Sequence, residues 1–338
     1  MNTHLNRGIR ELIDNSQNII LVAHIRPDGD CIGSVLGMGL SLISLGKQVQ
    51  IVLRDGIPGS FRHLPGSELV TRKANTPYDL SIVLDSSDLS RIGGVLNGDM
   101  PGINIDHHIT NLNFAKINFV DPQCVATAEL LAKYMGEWGL AIDDRVAANL
   151  LNGIISDTIG FRTSNVTPST LRLVAELMEK GAHLDDLYFR ALVQRSFNAA
   201  SLWGKGLSNI KKEGRLVYST LSLKDRKQAN YTGNDDADLI NVLSSIEDFD
   251  ISIIFVQQSA GRVKVSWRAK AGWNVSQIAL QFGGGGHPAA AGVEIEGAME
   301  DVMQKVLKAT KAAHMQQGSI LDISQEGMYP PLTDLGTD

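Results

Sequence analysis

Short, continuous runs of apolar residues recur through the first third of the chain and are bounded by polar turns. Four of these runs have the length and composition of strands buried on both faces: residues 18–24, 48–53, 80–84 and 102–105. Helical patterns follow at residues 34–45 and 126–138, and a further helix is predicted to begin at Thr167-Pro168 and to end at Gly181. This alternation predicts an α/β fold with a largely parallel sheet.

The second half of the chain has a different pattern. Residues 187–210 are helical in period but less apolar, which predicts a helical linker. Strand patterns follow at residues 216–221, 251–256 and 263–267, and helical patterns at residues 238–246, 275–282 and 299–313. We therefore predict four parts: an N-terminal domain at residues 1–186, the linker at 187–210, a smaller C-terminal α/β domain at 211–316, and a flexible tail at 317–338 without periodicity.

Composition narrows the class of protein. Among 338 residues, 43% are apolar and 20% are charged, as in an ordinary soluble globular protein. The net charge of −6 argues against an extended surface for long duplex nucleic acid, because such surfaces are basic. A short or small phosphorylated substrate fits this charge better.

Neither the cysteines, the N-terminal residues nor the apolar runs indicate a destination outside the cytoplasm. Cys31 and Cys124 lie among apolar residues, so each is predicted to be a buried, reduced thiol. The first seven residues are too polar for a secretory signal, and no apolar run approaches the ~20 residues of a membrane span. We therefore expect a cytoplasmic protein without a membrane partner.

Acidic and imidazole side chains follow several of the apolar runs. They occupy four segments of the chain: His24 with Asp28 and Asp30, then Asp85, then Asp106-His107-His108, and last Asp157. Because the carboxyl ends of parallel strands meet at one edge of a sheet, we expect these side chains to converge. Such residues bind divalent metals, and two metals held side by side are suited to breaking phosphate esters.

Each of these residues has a plainer interpretation when it is taken alone. An aspartate after a strand most often caps a helix or forms a turn, and Asp30 could cap the helix predicted near Ser34. A lone pair of adjacent histidines is usually structural. The joint placement of four such clusters after apolar stretches favours a metal site over these alternatives.

The N-terminal motifs resemble those of the DHH phosphoesterases. His-x-x-Pro-Asp-Gly-Asp-x-x-Gly-Ser spans residues 24–34, and Asp85, Asp106-His107-His108 and Asp157 follow in the order that the family has. Residues 265–270, 275–279 and 282–292 resemble the DHHA1 substrate-binding domain. The resemblance covers about residues 10–315. In length and layout the chain is similar to the stand-alone subgroup of oligoribonucleases (nano-RNases) and pAp phosphatases, where pAp is adenosine 3′,5′-bisphosphate.

The resemblance implies a centre of two Mn²⁺ ions, for which Mg²⁺ or Co²⁺ could substitute. It implies these ligands for the first ion: His24, Asp28 and Asp85. It implies these for the second: Asp30, Asp85, His107 and Asp157. Asp85 would bridge the two ions and is thus counted as catalytic. Asp106 is expected to orient His107, and His108 to contact the scissile phosphate as a catalytic residue.

In the C-terminal domain the resemblance implies a substrate site. It assigns substrate contacts to Arg268, to His287, and to Gly284, Gly285 and Gly286 in a loop that approaches a phosphate. Taken alone, the glycine run could be a flexible linker and Arg268 a surface charge. One position departs from the family, because Ala269 stands where a serine is common, and this affects the expected substrate preference.

These features predict a Mn²⁺-dependent phosphoesterase that acts on short RNA oligonucleotides and on pAp. The alternatives with a similar metal site are a phosphodiesterase for cyclic-di-AMP or linear dinucleotides and a family II inorganic pyrophosphatase. The glycine-histidine run argues against the latter. A non-catalytic nucleotide sensor is a further alternative, although no candidate ligand is missing. The sequence leaves a homodimer open.

Overall fold

The computed structural model describes residues 3–326, and these form two compact units that divide between Gln194 and Arg195. The boundary falls inside the predicted linker, but the linker is not one helix. A helical segment ends at Val193, Gln194 is extended, and the side chain of Ser196 caps a new helix by accepting the N–H of Ala199. The extended residue Gln194 therefore interrupts the single helix that the sequence suggested, and Ser196 begins a second one.

The N-terminal unit is built on a six-stranded sheet in the order β3-β2-β1-β4-β5-β6, and all its strand pairs are parallel. Its strands are β1 Asn18–Val22, β2 Gln48–Val52, β3 Val70–Thr71, β4 Leu80–Leu84, β5 Ile103–Asp106 and β6 Ile117–Val120. The predicted parallel α/β fold is confirmed. The strand order reverses between β1 and β4, and ligands of such sheets bind at the carboxyl ends beside this reversal.

The helices of this unit surround a large apolar core, and a smaller apolar cluster that includes Ile20, Val22 and Val83 lies apart from it. They are α1 Thr3–Asn15, α2 Gly29–Ser44, α3 Thr127–Tyr134, α4 Asp144–Asp157, α5 Pro168–Glu179 and α6 Leu184–Tyr188, followed by a π-helical turn at Phe189–Val193. Helix α2 is buried on all sides from Gly29 to Leu42, which explains why its sequence has no polar face.

Helix α2 begins five residues earlier than the sequence suggested. Asp28 is its N-cap, and a carboxylate oxygen of Asp28 accepts the N–H of Cys31 at 3.0 Å. Asp30 therefore lies in the first turn and is not the cap. At the other end, Gly46 adopts φ +85°, as expected for a residue just past a helix.

The C-terminal unit is built on a second six-stranded sheet in the order β11-β12-β10-β9-β8-β7. Its strands are β7 Lys211–Glu213, β8 Leu216–Leu221, β9 Ile251–Ser259, β10 Arg262–Ala269, β11 Gly285–His287 and β12 Ala290–Glu296. Only β8 and β9 pair in parallel among the pairs described. Its helices are α7 Phe197–Ser208, α8 Leu223–Gln228, α9 Leu239–Ser244, α10 Ser276–Leu280 and α11 Met299–Glu326.

The last helix differs from the sequence expectation. Helix α11 runs to Glu326, through the start of the predicted tail at residue 317. The chain from residue 299 to 326 contains no proline and many strong helix formers, which accounts for this continuation. Residues 327–338 lie outside the described part of the chain. None of the helices in the described part of the chain has both the length and the apolar character of a membrane span.

Close packing of α2 on α4 depends on glycine. A Cβ atom added at Gly33 would lie 2.4 Å from the carbonyl oxygen of Asn149 and 3.0 Å from the backbone nitrogen of Gly153. Because both contacts are backbone atoms of α4, neither can rotate away. The two helices that carry Asp30 and Asp157 are therefore held together at a distance that only glycine allows.

We expect Gly33→Ala to destabilise the protein by about 1–3 kcal/mol, the usual cost of overpacking a core. Gly204→Ala is the matched control, because Gly204 also lies inside a helix but a Cβ there meets nothing within 4 Å. That variant should gain about 0.4–1 kcal/mol. Urea unfolding of both variants measures the difference, and equal stabilities would contradict the close contact.

Candidate active site

The side chains singled out in the N-terminal sequence meet at the carboxyl edge of the parallel sheet, beside the reversal of strand order. His24 follows β1, Asp85 follows β4, and Asp106 is the last residue of β5. Helix α2 begins at the same edge and carries Asp30 in its first turn, while α4 ends there at Asp157. The parallel pairing of the strands alone brings His24, Asp85 and Asp106 together. The packing of the two helices adds Asp30 and Asp157.

Asp85 lies at the centre of this cluster. Its side chain is buried, with one carboxylate oxygen 3.3 Å from Nε2 of His24 and the other 3.8 Å from Nε2 of His107. Its backbone adopts φ +53°, a left-handed conformation that aspartate tolerates better than most residues. One carboxylate therefore faces two separate imidazoles with its two oxygens.

His24 and its neighbours form the first half of the cluster. Nδ1 of His24 lies 2.9 Å from the carbonyl oxygen of Ile25, and Nε2 lies 3.6 Å from a carboxylate oxygen of Asp28. Burial opposes the charged imidazole, but Asp28 and Asp85 outweigh it and raise the pKa of His24 to about 11. A cation is therefore strongly favoured at this position.

His107 forms the second half of the cluster. Nδ1 of His107 lies 3.3 Å from the carbonyl oxygen of Cys124, and Nε2 lies 3.4 Å from Asp157 and 3.9 Å from Asp30. Burial lowers the pKa of His107, but Asp157, Asp30 and Asp85 raise it to about 9. The pKa of Asp157 rises to about 7, because burial and the carboxylates of Asp28 and Asp85 outweigh the attraction of His107.

Asp30 is held by the start of helix α3. Its carboxylate accepts the N–H of Thr127 at 2.7 Å and the N–H of Ala128 at 2.9 Å, where the helix presents unpaired donors. Burial nevertheless raises the pKa of Asp30 well above its ordinary value, with Asp85 and Asp157 adding to the rise. The hydroxyl of Thr127 also donates to Asp85 at 3.1 Å.

This donor set fits divalent metal. Both His24 and His107 place Nδ1 beside a backbone carbonyl and direct Nε2 at carboxylates, which is the usual arrangement of metal-binding histidine. The acids around them are close enough to raise one another's pKa values, so a divalent cation would relieve that repulsion. Imidazole and carboxylate oxygen donors suit Mn²⁺ and similar ions.

Asp106 has a different partner from the one expected. Its carboxylate accepts from Nδ1 of His108 at 2.7 Å, whereas Nδ1 of His107 is turned to Cys124. The physical reason is the pleat of the strand, since side chains two residues apart share a face and adjacent ones do not. The second oxygen of Asp106 accepts the side-chain amide of Asn111 at 2.6 Å. Asp106 therefore orients His108.

Four of the five predicted residues of the C-terminal unit lie on its sheet, and Gly284 precedes a strand. Arg268 belongs to β10, and its guanidinium donates to the side chain of Asn241 at 3.3 Å and to the carbonyl of Trp267 at 3.2 Å. Burial lowers the pKa of Arg268, and this is only partly offset by Asp236 and Asp238. A half-buried guanidinium of this kind is a strong partner for an anion.

Only part of the glycine run is a strand, since Gly285 and Gly286 belong to β11 and Gly284 precedes it. Residues 285–287 form β11 and pair with β12, where Gly286 lies opposite Ala291 and His287 opposite Ala290. A Cβ at Gly284 or Gly286 would lie 2.4 Å from a carbonyl oxygen of that neighbouring strand. A Cβ at Gly285 would meet nothing within 4 Å. Glycine is therefore required at Gly284 and Gly286 by the close approach of β12. No steric contact requires glycine at Gly285.

Comparison with known proteins identifies the family of this chain. Residues 18–154 match the N-terminal domain of the DHH family, and residues 213–314 match the DHHA1 domain. The bifunctional oligoribonuclease and PAP phosphatase NrnA of Thermus thermophilus is 34% identical over 297 residues, which cover 87% of this chain and 89% of that protein. The chain belongs to the DHH family. It is a DHH phosphoesterase, and hence a hydrolase.

Solved structures share the DHH fold. An exopolyphosphatase-related protein from Bacteroides fragilis superposes with a TM-score of 0.86 at 25% identity, over 95% of this chain and 98% of that one. RecJ from Thermus thermophilus, solved in complex with Mn²⁺, gives a TM-score of 0.51 at 15% identity, over 92% of this chain and 54% of RecJ. The second likeness concerns the fold alone.

Sequence reasoning missed two residues of this DHH cluster. Asn111 donates to Asp106 and also to the side chain of Asn104, and so fixes the turn that follows His108. Thr127 contacts both Asp30 and Asp85. The start of a helix at residue 126 was visible in the sequence, but nothing in the sequence indicated that its N–H groups point at Asp30.

Proposed function

We propose that this DHH protein is a Mn²⁺-dependent phosphoesterase that hydrolyses short oligoribonucleotides to nucleoside 5′-monophosphates and pAp to AMP. The observation that carries this proposal is Asp85, whose two oxygens face His24 and His107 separately. A carboxylate in that position suits a bridge between two ions. The name of the Thermus thermophilus relative supports the choice of substrates, and RecJ, a protein of this fold, has been solved with Mn²⁺.

We assign the candidate ligands to two ions, one in the His24 half of the cluster and one in the His107 half. The first ion would take His24, Asp28 and Asp85, and the second would take Asp30, Asp85, His107 and Asp157. When bound, such ions polarise the phosphoryl group and lower the pKa of water. Mg²⁺ or Co²⁺ would serve as substitutes where the donors tolerate their geometry.

His108 is the side chain that we assign to the phosphate. Asp106 and Asn111 fix its ring through Nδ1, so the ring presents Nε2 on its other side. A donor at that position would stabilise the negative charge that accumulates on phosphate oxygens in the transition state. Asp106 would hold the ring in this orientation, because its buried carboxylate accepts from Nδ1 at 2.7 Å.

Substrate recognition falls to the DHHA1 domain in this proposal. The guanidinium of Arg268 would bind a phosphate or carboxylate group, and His287 would donate beside it. Gly285 offers an open backbone position on strand β11, so that a phosphate could approach without meeting a side chain. The net charge of −6 is consistent with a preference for short substrates over long nucleic acid.

A single product analysis tests this function. The protein, supplied with Mn²⁺, is incubated with pAp, a diribonucleotide, a pentaribonucleotide, cyclic-di-AMP, a long single-stranded RNA and pyrophosphate, and the products are identified by mass. We expect rapid conversion of pAp and the two short RNAs to 5′-monophosphates, and loss of turnover after chelation. Selective hydrolysis of cyclic-di-AMP or of pyrophosphate would replace the proposed substrates, and no turnover at all would favour a nucleotide sensor.

A further inference from the structure

A buried thiol lies among the donors of the His24 half of the cluster. Cys31 is fully buried, and its sulfur, a ring nitrogen of His24 and a carboxylate oxygen of Asp85 all lie within 4.8 Å of one another. These distances are those of three groups able to surround one ion. The proposed function assigns no role to this sulfur.

The position of Cys31 is fixed by the same turn that positions the acids. Its N–H is held by the carboxylate of Asp28 at 3.0 Å, and it follows Asp30 directly in the first turn of α2. The imidazole of His24 is fixed in turn through Ile25. The sulfur is therefore supported by rigid elements and needs no large rearrangement to reach an ion beside His24.

Sulfur changes which ions such a site prefers. Thiolate is a soft ligand that favours Zn²⁺, Cd²⁺ and, to a lesser degree, Co²⁺, whereas Mn²⁺ stands lowest in the order of affinities and prefers oxygen. A coordinating thiol is deprotonated by the ion that it binds. A site with one imidazole, one carboxylate and one thiol would therefore hold thiophilic ions more tightly than the same site without sulfur.

We propose that Cys31 is a sulfur ligand for thiophilic divalent ions in the His24 half of the centre, so that Zn²⁺ and Cd²⁺ compete there with Mn²⁺. The inference rests on the proposed metal centre and adds a determinant of metal selectivity to it. Its consequence is that the identity of the bound ion follows the supply of soft metals, and Zn²⁺ displaces Mn²⁺ from this half first.

Absorption spectroscopy with Co²⁺ tests the proposal without any substrate. Co²⁺ gives visible bands when bound by any ligands, and an additional near-ultraviolet charge-transfer band only when a thiolate binds it. We expect both sets of bands in the wild type and loss of the charge-transfer band alone in Cys31→Ala and Cys31→Ser. The serine variant preserves the size of the side chain, so a loss of folding in the alanine variant leaves the test intact.

Cys124 supplies the matched control. It is the other cysteine of the chain, it is also buried, and its sulfur lies beside Lys133 at 3.5 Å and Asp121 at 3.7 Å. Cys124→Ser should keep the charge-transfer band. Zn²⁺ affinity, measured by competition with a chromophoric chelator, should fall at least about 10–100-fold in the Cys31 variants, since loss of an indirect partner already costs that much.

The outcomes separate this inference from the proposed function. Visible Co²⁺ bands without a charge-transfer band in the wild type would overturn the role of Cys31 and leave the metal centre in place. A charge-transfer band that persists in both Cys31 variants, or that disappears in Cys124→Ser, would also overturn it. Absence of every Co²⁺ band, with no Zn²⁺ binding, would overturn both the inference and the centre.

Discussion

Asp85→Asn should lower kcat/KM for every substrate by at least about a thousandfold, because loss of a shared ligand removes several kcal/mol of transition-state stabilisation. Asparagine preserves the size of the side chain and tolerates the left-handed backbone at φ +53°. It removes the negative charge that faces both His24 and His107. Steady-state kinetics at saturating Mn²⁺, together with calorimetric titration of the metal, measure the loss of activity and of ion binding.

The same strand offers a matched control for this substitution. Asp79 lies at the amino end of β4, where its carboxylate accepts the backbone N–H groups of Gln17 and Asn18. Asp79→Asn should leave kinetics and metal binding at wild-type levels. Circular dichroism of the metal-free Asp85→Asn variant checks that it is folded, because the change removes a charge that repels Asp30 and also one that stabilises the charged form of His24. Activity within tenfold of the wild type in Asp85→Asn would contradict the bridging role.

His108→Gln should lower kcat by about 10²–10³-fold with little change in KM, which is the usual cost of removing one donor to a transition state. Glutamine retains a polar side chain of similar length but lacks the imidazole ring that Asp106 orients. Because His108 is not among the proposed metal ligands, Mn²⁺ binding should remain close to that of the wild type. Kinetics with pAp and a calorimetric titration of Mn²⁺ provide the two measurements.

His4→Gln is the control for this experiment, since His4 is exposed on helix α1, outside the cluster. It should match the wild type in both measurements. A rise in KM without a fall in kcat would move His108 from the reacting phosphate to substrate binding. Loss of Mn²⁺ affinity in His108→Gln would instead assign the imidazole to an ion, as its position within 4.8 Å of Asp85 and His107 permits.

The sequence predicted the parallel sheet well because strands buried on both faces leave continuous apolar runs. β4 was predicted with its observed bounds, and β1, β2 and β5 within two residues at either end. The convergence of His24, Asp85 and Asp106 followed from this topology. Helix α4 was not predicted, so Asp157 was known only as an acid after an apolar stretch. Its approach to His107 depends on the packing of α4 against α2.

Other details depended on contacts that no local pattern contains. The partner of Asp106 was wrong in the sequence interpretation, although the period of the strand would have favoured His108. The glycine run was interpreted as a loop, because the pairing of β11 with β12 requires residues three to seven positions away to fold back. Thr127 meets Asp30 only through long-range packing. Whether Arg268 and His287 bind substrate stays a prediction.

The donors proposed for the two ions extend from His24 to Asp157, and the last of them lies at the end of helix α4. A metal site of this kind does not exist in an unfolded chain, so binding and folding are coupled. During synthesis, the growing polypeptide therefore cannot capture both ions until nearly half of its length has been made. Metal loading becomes a late event in the maturation of the N-terminal domain, and a product truncated before helix α4 would lack Asp157, one of the four ligands proposed for the second ion.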